Sequence, residues 1–237
     1  MPTRPRETRV HGSLLAAAEK RVLIWMAERL PRWVNSDHLT GLGAAAMLGA
    51  GLGYALAPRW RPALLLVVVF LVMNWFGDSL DGTLARVRRH ERPRYGFYVD
   101  HVLDAVGILL LIGGLFAGGY VSLLPAAAFL LAYYLLTIEI ALATHALGVF
   151  RISYWKFGPT ELRILLAVGT LQLLNSPWST IAGHRLLLFD IGTAIGAAAL
   201  LVTFIVSAIS NTRKLYALEP LPQEDGNIFL TLSRKPA

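Results

Sequence analysis

Residues 77–107 read GDSLDGTLARVRRHERPRYGFYVDHVLDAVG, between the apolar runs LLLVVVFLVMNWF at 64–76 and ILLLIGGLF at 108–116. Asp78, Asp81, Asp100 and Asp104 therefore lie at or just inside a membrane boundary, where ionised acids are costly and mark function. On a helix, Asp78 and Asp81 are about 60° apart around the axis, with Gly82 and Ala85 continuing the same face. After a basic turn, Gly96, Asp100 and Asp104 follow at four-residue steps, again along one face. Two such helices side by side make a four-carboxylate cage.

A cage of this kind suits hard divalent cations, because Mg²⁺ takes oxygen ligands and pairs with substrate phosphates. Two ions about 4 Å apart clamp both ends of a phosphoryl displacement. The plainer explanation is that the acids neutralise Arg86, Arg88, Arg89, Arg92 and Arg94, but neutralisation sets no spacing.

The order Asp78, Asp81-Gly82, Ala85-Arg86, Gly96, Asp100, Asp104, with its intervals of two, two, nine, three and three residues, resembles the full signature of the CDP-alcohol phosphotransferase (CDP-alcohol phosphatidyltransferase) family. The resemblance implies an enzyme of phospholipid biosynthesis. It would transfer a substituted phosphoryl group from a CDP-linked donor to an alcohol acceptor and release CMP. It implies that Asp78, Asp81 and Asp100 bind metal, two Mg²⁺ ions or Mn²⁺ in their place, and that Asp104 is the general base and also touches a metal. Asp78, Gly82, Ala85, Arg86 and Gly96 match positions of the donor site. Small residues there let a nucleotide approach the backbone, and Arg86 offers a forked contact to a diphosphate. A homodimer is a further family expectation, with glycine-rich and alanine-rich spans as its support in the sequence.

The 237 residues are 55% hydrophobic and 16% charged, which fits one multi-span membrane domain. A net charge of +7 would suggest nucleic acid in a soluble protein, but here the positions of the basic residues explain it and no nucleic-acid partner is expected. The absence of cysteine excludes disulfides and thiolate chemistry. The basic start MPTRPRETRVHG lacks the apolar core of a removable signal peptide. No P-loop, nucleophilic serine constellation or zinc-ligand spacing competes with the aspartates.

Residues 13–34 read as an amphipathic helix on the membrane surface, with Leu15, Val22, Met26 and Leu30 on its apolar side. Asn35, Ser36 and Asp37 offer caps for the first span. The expected fold is all-α and polytopic, with that surface helix and six spans: 39–57, 62 into the motif, 96–118, 121–147, 159–175 and 186–210. The expected divisions are 1–37, a catalytic domain at 38–212 and a polar tail at 213–237. Alternate connecting segments carry 19 against 3 lysines and arginines, which places both termini and the motif in the cytoplasm.

Arg151, Lys156, Glu161 and Arg163 fall on the side of the carboxylates and, with His101, are candidates for the acceptor site. Gly158-Pro159-Thr160-Glu161 is similar to a segment of the eukaryotic choline and ethanolamine phosphotransferases, and His101 is typical of that branch. These two features favour a CDP-amino-alcohol donor with diacylglycerol as acceptor. The chain's size and span number look more like bacterial enzymes that use CDP-diacylglycerol and a polar alcohol. A rival of another class is a cation transporter with an intramembrane aspartate site, yet such a path gains nothing from Arg86 beside the cage. Glu139 and Asp190, in or near spans, fit either function or pairing with a neighbouring helix.

Overall fold

The computed structural model describes residues 16–147, 159–181, 183–219 and 221, with side chains described from 19 onward. These form seven helices and one hairpin: α1 Ala16–Arg29, α2 Ser36–Leu56, α3 Ala63–Arg88, α4 Pro93–Ala117, α5 Leu123–Leu147, α6 Pro159–Leu173, β1 Trp178–Ile181, β2 His184–Leu187 and α7 Leu188–Leu218. The chain is an all-α, polytopic membrane protein. α2, α3, α4, α5 and α7 are long and apolar enough to cross a bilayer, and their outer faces expose residues such as Leu65, Val69, Val72, Ile205 and Val206, as lipid-facing helices do.

The fifth of the six expected spans is α6, which has 15 residues. At 1.5 Å per residue it covers about 22 Å, less than the roughly 30 Å of a hydrocarbon core. Among the described residues five helices qualify by length and composition, so the expected count of six is not confirmed. The contacts of α6 nonetheless run from one end of the bundle to the other. Arg163 meets Asn74 and Asp78 on α3, while the carbonyl of Leu174 accepts from Arg61 in the α2–α3 connection at 2.9 Å.

Two other boundaries differ from expectation. The β1–β2 hairpin turns at Gly183, whose φ is 83°, and sequence reasoning saw only a connection there. α7 continues to Leu218, beyond the expected span end at 210, and Asn211 bonds inward to Glu139 at 2.7 Å. The rest of the C-terminal tail after 219, apart from 221, lies outside the described residues.

α2 is the spacer of the bundle. It opens with a capping box in which Asn35 Oδ1 accepts from the His38 N–H at 2.9 Å and the Asn35 N–H donates to His38 Nδ1 at 3.3 Å. Its glycines let two helices approach closely: Gly43 meets Gly77 of α3, and Gly51 meets Gly114 of α4. Tyr54, Leu64, Val67, Leu71, Leu111 and Leu115 form the core between these three helices.

α1 lies against the motif end of α3 and buries Leu23 and Ala27 against Leu80 and Leu84, with Met26 and Leu30 partly buried. Val22 is exposed, so the packed face is rotated from the one expected, and Leu15 lies outside the described residues. Both aspects of α1 now have a role. One covers the active helix, while Val22 and Trp25 remain exposed.

Adjacent glycines on α4 test this packing. A Cβ at Gly114 would lie 2.6 Å from Gly51 Cα, whereas one at Gly113 meets nothing within 4 Å. Gly114→Ala should lower the stability of the detergent-solubilised chain by about 1–3 kcal/mol, while Gly113→Ala raises it by about 0.5–1 kcal/mol. Thermal unfolding of the two variants should move in opposite directions.

Candidate active site

α3 and α4 carry the signature aspartates, and the turn between them is fixed by its own residues. Arg89 ends α3 in the left-handed region at φ 57°, and the His90 N–H returns to the Ala85 carbonyl at 2.9 Å. Pro93 then starts α4, where a missing N–H costs nothing. Arg88 anchors the turn to the α1–α2 connection by donating to the carbonyls of Leu30 at 2.9 Å, Pro31 at 3.0 Å and Val34. Arg92 pairs with Asp37. Two of the five motif arginines are therefore occupied elsewhere than at the cage, which weakens the neutralisation reading.

The reversal brings Asp78, Asp100 and Asp104 together, one carboxylate oxygen from each lying within 4.8 Å of the others. Asp78 and Asp100 are half-buried and Asp104 is exposed. An all-oxygen donor set from two rigid helices matches the preference of hard divalent cations, so the residues present fit a divalent metal. Asp81 is turned aside from this group of three. Its carboxylate accepts from Thr40 Oγ1 of α2 at 2.7 Å and from the Gly82 N–H.

The signature glycines differ from those of the packing faces. A Cβ at Gly96 would meet nothing within 4 Å, and one at Gly82 would meet only Arg86 Nη1 at 3.4 Å. Neither glycine is needed for helix contact within the chain. Arg86 folds back along α3, donating to Thr83 Oγ1 at 3.0 Å, and so lies over Gly82. Ala85 is half-buried on the same helix.

Of the candidate acceptor residues, the structure brings Arg163 to the cluster. Its Nη2 donates to Asp78 Oδ2 in an ion pair, and its Nε donates to Asn74 Oδ1 at 2.8 Å. Asn74 in turn donates to the Gly43 carbonyl at 3.1 Å. Glu161 stands in the first turn of α6, half-buried. His101 stacks on Phe97 at 4.1 Å and places Nδ1 2.8 Å from the Phe97 carbonyl; it is not in the carboxylate group. Arg151, Lys156 and Gly158 lie outside the described residues.

Asn74, absent from the candidate residues, is the group that orients Arg163. Its position one helical turn before Asp78, on the same face, was the available signal. Thr40 carried no such signal. The two suspected acids have structural partners: Glu139 accepts from Ser207 Oγ at 2.8 Å and from Asn211, joining α5 to α7. Asp190 accepts from the N–H and hydroxyl of Ser122 at 2.6 and 2.7 Å, just before α5.

Residues 36–210 match the family described as CDP-alcohol phosphatidyltransferase. The chain is 30% identical over 105 residues to the archaetidylinositol phosphate synthase of Methanothermobacter thermautotrophicus. That alignment takes in 44% of this chain and about half the length of the relative. The fold is similar to the crystal structure of the Mycobacterium tuberculosis phosphatidylinositol phosphate synthase with CDP-DAG bound. The TM-score is 0.54 at 18% identity, over 92% of this chain and 100% of the other.

Mn²⁺ provides a direct probe of the cluster. Asp100→Asn should weaken Mn²⁺ binding by at least about tenfold, since a charged oxygen ligand is lost. Glu139→Gln, an acid held in a separate polar contact, should leave binding unchanged. Titration followed by electron paramagnetic resonance reads both.

Proposed function

The chain belongs to the CDP-alcohol phosphatidyltransferase family, and we propose that it transfers a phosphatidyl group from CDP-diacylglycerol to the hydroxyl of a polar alcohol, releasing CMP. The observation that carries this reading is the convergence of Asp78, Asp100 and Asp104, with Arg86 lying over Gly82 on the same helix as Asp78. Asp78, Asp100 and Asp104, joined by Asp81 once it turns from Thr40, would hold two Mg²⁺ ions, which would neutralise charge on the diphosphate and on departing CMP. Arg86 lies along the helix face that includes Gly82 and can pair with a phosphate oxygen in a forked contact.

In the proposed reaction Asp104 accepts the proton of the acceptor hydroxyl. The hydroxyl oxygen forms a bond to the phosphorus that carries the diacylglycerol group. The bond from that phosphorus to the bridging oxygen breaks, and the bridging oxygen leaves with CMP. The exposure of Asp104 supports this role, because a base must be reached by the incoming alcohol.

Arg163 supports an acceptor with its own anionic group. A phosphate arriving beside three carboxylates needs a cation, and Arg163 already stands at Asp78. Both similar proteins are named as synthases of inositol phosphate lipids, so phosphorylated inositol is the first acceptor to test. The choline and ethanolamine alternative draws on His101, whose ring is held against Phe97, and on a segment only partly described. The proposed homodimer draws no support from Gly43 and Gly51, which are packed within the chain.

Purified protein with CDP-diacylglycerol, Mg²⁺ and inositol phosphate should release CMP and form the matching lipid; full turnover in chelator would refute metal dependence. Asp104→Asn should lower turnover by at least about 100-fold with little change in donor affinity. A collapse of donor and metal affinity together would make Asp104 chiefly a ligand.

The charge asymmetry supports a cytoplasmic active site and cytoplasmic termini. Glu91 is exposed in the turn between α3 and α4, and the chain has no native cysteine. Glu91→Cys should resist an impermeant thiol reagent in intact cells and react after lysis. Labelling in intact cells would reverse the orientation.

A further inference from the structure

α6 brings Arg163 to the carboxylates, yet its packing is uneven, with Gly169 close to Phe189 of α7. It packs on α3, while an apolar cavity of about 450 Å³ lies on its other side, lined by residues of α4, α5 and α7. Polar contacts along α6 add to its packing, among them one each near its two ends and in its middle. At the far end Thr170 meets Tyr54 of α2 at 2.5 Å. In the middle Arg163 meets Asn74 and Asp78. At the near end Thr160 Oγ1 donates to Glu19 Oε1 of α1 at 2.7 Å.

The same Glu19 oxygen accepts from Trp75 Nε1 of α3 at 2.8 Å. One carboxylate oxygen thus joins α1, α3 and α6 one helical turn from Arg163 and one turn from Asp78. α1 needs no such bond for its own docking, since Leu23 and Ala27 already bury against Leu80 and Leu84. The bond to Thr160 serves α6.

We infer that Glu19 is a positioning residue for the active site: through Thr160 it holds the start of α6 so that Arg163 stays against Asp78 and Asn74. The consequence for the cluster follows from charge. A guanidinium on Asp78 competes with a divalent cation for that carboxylate, so loosening the start of α6 frees Asp78 and strengthens cation binding. For turnover the inference rests on the reaction proposed above, in which Arg163 serves the acceptor; for cation binding it does not.

The test is a double-mutant cycle read by Mn²⁺ affinity. Glu19→Ala and Thr160→Val should each tighten Mn²⁺ binding about threefold, a fraction of one hydrogen bond's worth. Glu19→Gln, whose amide oxygen still accepts both bonds, should keep the wild-type affinity. In an Arg163→Gln background, Thr160→Val should add nothing. A metal-free readout uses Leu162, which lines the cavity, in a chain without native cysteine. Alkylation of Leu162→Cys should be about threefold faster with Thr160→Val or Glu19→Ala, and unchanged with Glu19→Gln.

An effect of Thr160→Val that persists at full size without Arg163 overturns the inference, as does an unchanged alkylation rate in both loosening variants. Under the reaction proposed above, Thr160→Val should also raise the acceptor KM while the donor KM stays constant. Should no CDP donor release CMP, that reaction fails, while the Mn²⁺ cycle and the alkylation rates still decide the coupling.

Discussion

Asp78, Asp100 and Asp104 present carboxylate oxygens within 4.8 Å of one another, and ionised groups at that distance repel. At an effective dielectric constant of about 20, each pair costs roughly 3 kcal/mol. The rest of the structure either forces the acids together or offsets their charge. Close helix approach supplies the force. Gly43 against Gly77 seats α3 on α2, and Gly51 against Gly114 seats α4 on α2. Both helices are thereby referenced to one spacer. Arg163 supplies the offset from a third helix, aimed by Asn74, and a divalent cation would complete it.

This division of labour separates two uses of glycine. Gly51, Gly77 and Gly114 are places where an added Cβ would collide with a neighbouring backbone. Gly82 and Gly96 have room for a Cβ from the chain's own point of view. Packing therefore accounts for the first group and not for the second, and what sets Gly82 and Gly96 apart from an equally open Gly113 is their place in the aspartate motif. The same contrast argues against a transporter reading, which asks for a polar path but gives no reason for open helix faces with Arg86 lying across one of them.

The parts legible in sequence were those set by local periodicity. The aspartates, their glycines and the two helices that bear them follow from spacings of three and four residues, and the long spans follow from apolar runs. α1 was recognisable as an amphipathic helix, but its packed face was not, because Leu23 and Ala27 are buried by Leu80 and Leu84 at a distant position in the chain. Glu19, Thr40 and Thr160 were invisible for the same reason: each is an ordinary residue whose role is made by a partner 41 or more residues away. The hairpin escaped because its strands have four residues each, too few for an alternation to show. Arg163 was picked out by its charge and side of the chain, and its pairing with Asp78 needed the third dimension.

Polar contacts, together with the packing of Leu166, Ala167 and Leu173, set the position of α6. A helix of about 22 Å beside a cavity of about 450 Å³ has little apolar surface to commit, and in a bilayer burial against protein gains little over burial in lipid. Directional bonds are then the more selective tether, because an unsatisfied hydroxyl or guanidinium away from water is costly. Thr170 illustrates the geometry: its hydroxyl donates to the Leu166 carbonyl at 2.6 Å, so Tyr54 must be the donor in their shared contact. Arg61 holds the next turn through the Leu174 carbonyl. Fixed at residues 160, 163, 170 and 174, α6 keeps one register along α3 although a cavity lies on its other side. That register decides whether a guanidinium faces the carboxylates, since a shift of one residue would rotate Arg163 about 100° away from Asp78.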